Sequence, residues 1–212
     1  MKTYEIELPQ GYVEAKTIDA QNKKFAIVCN LIAVTVLLIT VVTTWFVLFS
    51  QYNEPFVETV TNRILLPNVW ANLARVAMFV VVLVVYVILH ELTHGVVYKL
   101  LTKQKLTFGL TLTVAYCGVP NIYIYRTTSL LALIAPFAVF LPVFLVPMFF
   151  LQNYIDVLIF AFLLAIHIGG CSGDLYNTFL YLFKFRDHTT LMRDTGPKQT
   201  FYVKQGNDGL AD

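Results

Sequence analysis

The sequence predicts an all-α polytopic membrane protein, with four transmembrane helices and a small β-hairpin insert on the cytoplasmic side, in a single membrane domain over residues 1–212. Hydrophobic residues make up 58% of the chain and charged residues 13%, whereas roughly 25% of a soluble domain is charged. The net charge of +2 excludes a polybasic nucleic-acid binder. The three cysteines lack the spacing of a disulfide framework or a zinc ribbon, so we expect free thiols.

Four apolar stretches approach the length of about 20 residues that a helix needs to cross a bilayer. Polar segments, 1–24 and 184–212, flank the apolar part of the chain, 25–183. Gly169-Gly170 and Gly173 interrupt the last stretch, which predicts close helix contact or local unwinding there. The predicted spans are 25–49, 73–98, 129–150 and 154–183.

The basic residues predict the orientation of the spans. If all four cross, thirteen of the fifteen Lys and Arg residues fall on one side, the exceptions being Arg63 and Arg75. By the positive-inside rule, both termini and the 99–128 loop are then cytoplasmic, and the 50–72 loop faces outward. We therefore expect a multi-pass protein of the cell membrane that has the lipid bilayer as its surroundings.

The loop between the second and third spans carries a strand pattern. From Leu106 to Val114 apolar and polar residues alternate strictly, as in a half-exposed β-strand. Turn-forming residues at 118–121 precede a second alternating segment, Ile122–Tyr125, so a hairpin on the membrane surface is expected. Two further strand-like segments, expected to pair with each other or with the hairpin, are Tyr4–Leu8 and Thr200–Lys204.

The second span contains ionisable residues, which are costly inside a membrane and are therefore functional candidates. His90, Glu91 and His94 fit the pattern H-E-x-x-H behind the apolar run Val80–Leu89. Positions four apart lie on one helix face, so both imidazoles can reach one metal ion. Glu91 points elsewhere and can accept a proton from the attacking water. The alternative is a structural polar cluster that links helices by hydrogen bonds.

A third ligand is expected, because catalytic zinc usually has three protein ligands. At about 1.5 Å per residue, Asp174 in the fourth span lies level with the histidine pair, and His167 lies about one to two turns deeper. His167, Cys171 and Asp174 follow one another at i, i+4 and i+7, so they share a helix face. We predict Asp174 as the ligand, His167 beside the ligands or in helix packing, and Cys171 as a small buried residue. Either of the last two could also coordinate metal.

The chain resembles a bacterial family known as the putative zincin peptidases and, more distantly, the intramembrane site-2 proteases. The resemblance implies that His90 and His94 are zinc ligands, that Glu91 is the base, and that Asp174 is the third ligand. It covers most of residues 73–185. The segments that carry it are His90–Gly95, Ala115–Cys117, Leu131–Pro136 and Ser172–Leu175.

These observations predict a membrane-embedded zinc metallopeptidase that hydrolyses peptide bonds of membrane or membrane-proximal substrates near the cytoplasmic face. The predicted strand is expected to bind an extended substrate along its edge. Phe108, Leu110 and Leu112 would supply the apolar contacts. A hairpin that only plugs the cytoplasmic mouth of the bundle is an equal alternative for this strand.

Two other functions are compatible with the same residues. One is a non-enzymatic metal- or haem-binding membrane protein, with haem held between His90 or His94 and His167. The other is a catalytically inactive relative that keeps the ligands. Glu91 distinguishes the first of these from a peptidase, since a haem site gains little from a carboxylate beside its ligand.

Overall fold

Helices form most of the protein. The computed structural model describes residues 2–52, 68–111, 114–151 and 154–206. A 3-10 helix, Val146–Phe149, extends the third helix. The α-helices of the described part are α1 (Lys23–Tyr52), α2 (Val69–Thr102), α3 (Arg126–Leu145), α4 (Tyr154–Gly170) and α5 (Ser172–Phe183).

Three helices are long and apolar enough to cross a membrane: α1, α2, and α3 with its 3-10 extension. Helices α4 and α5 meet that test together, which gives up to four spans if the pair is one broken span. The break lies at Cys171, among the glycines that predicted it. A Cβ at Gly169 would lie 2.8 Å from Cα of Ala33, so this glycine permits close contact between α4 and α1.

The protein contains more β-structure than the all-α class that we expected. A five-stranded antiparallel sheet has its strands in the order Tyr4–Glu5, Tyr123–Tyr125, Leu191–Asp194, Lys198–Lys204 and Tyr12–Asp19. The segments expected to be polar tails supply four of its strands, and their apolar residues Met192 and Phe201 are fully buried. This burial stabilises segments whose sequence reads as polar. The strands are β1 (Tyr4–Glu5), β2 (Tyr12–Asp19), β3 (Thr107–Leu110), β4 (Ala115–Gly118), β5 (Tyr123–Tyr125), β6 (Leu191–Asp194) and β7 (Lys198–Lys204).

The hairpin forms with a different partner from the one expected. β3 pairs with β4 in a separate two-stranded sheet. The Thr111 hydroxyl accepts a hydrogen bond from the Val114 amide at 3.0 Å, and the Thr111 amide donates to the Val114 carbonyl at 2.8 Å. These bonds join the two strands between Thr111 and Val114, earlier in the chain than the turn predicted at 118–121. The Ile122–Tyr125 segment instead contributes β5, which pairs with β1 and β6.

The terminal strand-like segments are both in the five-stranded sheet. Tyr4–Glu5 pairs with β5, the strand that the sequence had placed in the hairpin. The Thr200–Lys204 segment lies within β7, which pairs with β2 on one side and β6 on the other. The partner β2 was not expected from the sequence, because Tyr12–Asp19 lacks a regular alternation.

The chain packs as two compact units. The first comprises residues 1–29, 89–137 and 171–212, and the second comprises 30–88 and 138–170. The core of the first unit combines sheet residues with helix residues, among them Tyr98, Ile124, Tyr181, Met192 and Phe201. The core of the second unit includes Tyr86, Phe140, Phe144, Leu163 and Leu164.

Candidate metal centre

Helix α2 presents a buried row of polar residues to the core of the first unit. His90, His94 and Tyr98 follow one another at i, i+4 and i+8, so they lie along one stripe of the helix. Their exposed fractions are 8%, 7% and 1%. The exposed stripe of the same helix is apolar and includes Leu92, Val96 and Leu100. The spacing of four residues therefore places both imidazoles on the buried face of α2.

Asp174 lies opposite these imidazoles, in the first turn of α5. Its Oδ2 atom is 3.3 Å from Nε2 of His90 and 3.3 Å from Nε2 of His94. The break at Cys171 makes Asp174 part of a helix N-terminus, where the helix dipole favours a negative charge. The Asp174 side chain keeps 19% of its surface exposed.

The spacing of these atoms fits a tetrahedral zinc ion. The three ligand atoms lie within 4.8 Å of one another. Nitrogen and oxygen ligands about 2.0–2.2 Å from a tetrahedral zinc ion lie roughly 3.3–3.5 Å apart, which matches the two 3.3 Å distances to Asp174. His90, His94 and Asp174 are the predicted ligands, and their binding of zinc stays a prediction.

The second nitrogen of His94 determines how this residue can act. Its Nδ1 atom lies 2.8 Å from the carbonyl oxygen of Ala132 on α3. A carbonyl oxygen only accepts hydrogen bonds, so Nδ1 carries the proton and donates it. In the neutral ring, Nε2 therefore presents a lone pair to the Asp174 carboxylate. A cation between Nε2 and the carboxylate would satisfy both groups, and this arrangement is usual for histidine ligands of metals.

Glu91 lies beside this group, on α2, and is partly buried. The backbone of Cys117 on β4 is within hydrogen-bonding reach of its carboxylate. A Cβ at Gly95 would lie 2.8 Å from Cζ of Phe108 and 3.3 Å from Sγ of Cys117. The hairpin can rest this closely on α2 because residue 95 has no side chain. It thereby brings β4 to the predicted base.

A buried carboxylate that the sequence did not point out lies next to the histidine row. Asp194, at the end of β6, is 2% exposed. The Tyr98 hydroxyl donates to its Oδ2 atom at 2.6 Å, and the Gly196 amide donates to its Oδ1 atom at 2.9 Å. Burial raises the pKa of Asp194 to about 6, although these hydrogen bonds oppose the rise. The hydrogen bond from Tyr98 spans 96 positions of the chain, and no local motif indicates it.

The other predicted residues have defined places. His167 is in the second unit, where its Nδ1 atom lies 2.8 Å from the Tyr86 hydroxyl. The ring centroids of Phe140 and Phe144 lie 6.0 and 5.8 Å from that of His167, and its expected packing role stays a prediction. Cys171 is fully buried directly before α5. All three cysteines are free thiols, as expected.

The predicted substrate-contacting residues lie on the hairpin. Phe108 and Leu110 on β3 are 48% and 80% exposed. Leu112 lies outside the described residues. Phe108 approaches α2 at Gly95.

Comparisons with known proteins give one family match. A family model described as "Putative zincin peptidase" matches residues 83–189. This range contains His90, Glu91, His94 and Asp174, and it ends before Asp194. No curated protein matches the chain, and no solved structure matches it.

Proposed function

Because the chain belongs to the family of putative zincin peptidases, we propose that it is a zinc metallopeptidase embedded in the cell membrane. It hydrolyses peptide bonds of membrane or membrane-proximal proteins near the cytoplasmic face. His90, His94 and Asp174 hold the zinc ion, and Glu91 is the general base. Three helices long and apolar enough to cross a membrane support the location.

The observation that carries this proposal is the arrangement of the two His94 nitrogens. Nδ1 donates to the Ala132 carbonyl, so Nε2 of the neutral ring directs a lone pair at the Asp174 carboxylate 3.3 Å away. His90 approaches the same oxygen at the same distance. Two imidazoles and a carboxylate that converge on one point, largely removed from water, are a suitable ligand set for a shared zinc ion. A structural polar cluster would hold the same residues together by hydrogen bonds from the imidazole N–H groups to the carboxylate, without zinc.

Each residue then has a defined task in peptide hydrolysis. Bound zinc supplies Lewis acidity, which polarises the scissile carbonyl and makes water a better nucleophile. Glu91 accepts a proton from the attacking water and passes it to the departing amine nitrogen. The Ala132 carbonyl holds the His94 ring in one tautomer and orientation. Asp174 balances part of the positive charge.

The hairpin offers a place for the substrate backbone. Thr111 and Val114 form a hydrogen-bonded pair, so by the alternation of an antiparallel ladder the Cys117 backbone points away from β3. That edge of β4 faces Glu91. An extended peptide bound there would place a peptide bond beside the base. Phe108 and Leu110 would contact its apolar side chains, and we propose the same for Leu112.

The test is Glu91→Gln in the full-length protein purified in detergent. We expect zinc binding to be kept and cleavage of a single-span membrane protein or a fluorogenic peptide to fall by at least a hundredfold, because Gln cannot accept the proton. Glu7→Gln, at an exposed position, is the matched control and should leave cleavage unchanged. Cleavage that survives Glu91→Gln would contradict the mechanism. A haem absorption band without zinc would favour a binding protein.

A further inference from the structure

Asp194 is a buried acid that the proposed reaction does not use. It is 2% exposed, and its hydrogen-bond donors, Tyr98, Gly196 and Gln199, are neutral. Removing a carboxylate from water without a cation is costly. Burial raises the pKa of Asp194 to about 6, so the group is still ionised at neutral pH and accepts the hydrogen bond from Tyr98 as a charged acceptor.

A role in the β6–β7 turn accounts only for the contacts of the Oδ1 atom of Asp194. The Gly196 amide bonds to the Oδ1 atom of Asp194, which is a common way for Asp to close a turn. Asp187 does the same at the surface, where its Oδ1 atom accepts from the Thr189 amide at 2.8 Å. A turn therefore needs neither the burial of Asp194 nor the bond between its Oδ2 atom and Tyr98.

The position of Tyr98 explains its hydrogen bond to the Oδ2 atom of Asp194. Tyr98 lies one helical turn beyond His94, on the same stripe of α2. A short hydrogen bond from this residue to the sheet restrains the rotation of α2 about its axis. Rotation of that stripe would move both imidazoles relative to Asp174. Metal ligands must be held within about 0.5 Å of their productive positions, so such a restraint matters at this site.

We propose that Asp194 is a positioning residue for the metal centre: through Tyr98 it holds α2 at the rotation that directs His90 and His94 to Asp174. This inference rests on the proposed function, since it concerns the ligands of that zinc ion. Asp194 lies beyond the residues that match the family model. The restraint is therefore supplied by a strand outside the matched segment.

The experiment is a Co²⁺ titration of the full-length protein in detergent, followed by the visible absorption spectrum, which reports ligand geometry. Tyr98→Phe keeps the ring packing and removes only the hydroxyl, and Asp194→Asn keeps an acceptor for the turn. We expect each variant to bind Co²⁺ about tenfold or more weakly, as is typical when an outer partner of a metal ligand is lost, and to shift the visible bands. The double variant should bind Co²⁺ no more weakly than either single variant. Asp187→Asn is the control and should match the wild type.

The outcomes separate the inference from the proposed function. A merely structural role would lower the melting temperature and leave the spectrum and affinity of the folded variants unchanged, which would overturn the inference. Additive losses in the double variant would also overturn it, because two residues acting through one hydrogen bond cannot lose it twice. A wild type that binds neither Co²⁺ nor Zn²⁺ would overturn the proposed function and this inference with it.

Discussion

At the scale of single residues, the polar contacts of His94 and Asp174 determine how these side chains are oriented. One ring nitrogen of His94 donates a hydrogen bond to a backbone carbonyl of α3, and the other faces Asp174. Asp174 lies at the start of α5, where backbone amides favour its charge. His94 and Asp174 thus each have an orienting feature besides their contact with one another. This orientation lowers the entropy that binding must overcome.

Gly95 provides the residue-scale prediction, since its missing side chain lets the hairpin lie on α2. In Gly95→Leu the new side chain would occupy the space of Phe108 and Cys117, which already lie 2.8 and 3.3 Å from a Cβ at this position. The hairpin must move away from Glu91. We expect cleavage to fall at least tenfold while zinc content stays near that of the wild type, measured on the same detergent-purified samples.

The neighbouring residue supplies the control for this variant. Val96 is 56% exposed on the apolar stripe of α2, so Val96→Leu adds the same residue one position away without touching the hairpin. It should retain full cleavage. Equal cleavage by Gly95→Leu and the wild type would show that the hairpin does not position the base or the substrate.

The residues of the centre differ in how far the sequence could predict them. His90 and His94 are marked by their spacing on an apolar helix, and Asp174 by its depth in another span, because periodicity and rise per residue are local properties. Asp194 is marked by neither. Its contact with Tyr98 depends on a sheet that joins distant segments, and only tertiary structure reveals it.

At the scale of elements, the five-stranded sheet constrains the topology. It combines strands from before α1, from between α2 and α3, and from after α5. Paired strands must lie on the same side of a membrane. Helices α1 and α2 must therefore cross as a pair, and α3 must be matched by the interrupted pair α4 and α5. The sheet thus predicts four spans, and by the positive-inside rule we expect it on the cytoplasmic side of the membrane.

This topology is testable with reporter fusions in a bacterial host. A fluorescent protein, which is active in the cytoplasm, should be bright at both termini, and alkaline phosphatase, which is active outside, should be inactive there. Alkaline phosphatase inserted in the 53–67 segment should be active. Termini on opposite sides would contradict both the four spans and the pairing of β2 with β7.

The elements also show where pattern analysis succeeds and fails. Apolar length predicted helices that are long and apolar enough to cross a membrane, because a bilayer imposes that length. Alternation predicted a strand after α2, and the structure has one at Thr107–Leu110. Its partner was misassigned because alternation does not specify pairing, and the side chain of Thr111 closes the turn earlier. β2 pairs on one side only, and such edge strands carry weak patterns.

At the scale of the whole molecule, the predicted ligands and base all belong to the first compact unit. The sheet and the hairpin are part of the same unit. The second unit contains a separate core that includes Tyr86, Phe140 and His167. Three aromatic rings lie 5.8–6.0 Å from the His167 ring. The packing role of His167 stays a prediction.

Zinc content is the measurement that tests the central claim most directly. Elemental mass spectrometry of the detergent-purified protein should find about one zinc per chain in the wild type. His90→Ala and Asp174→Ala should lose it, and His188→Ala, at an exposed position, should keep it. A metal-replete wild type without zinc, or full zinc content in Asp174→Ala, would contradict the claim that His90, His94 and Asp174 hold a zinc ion.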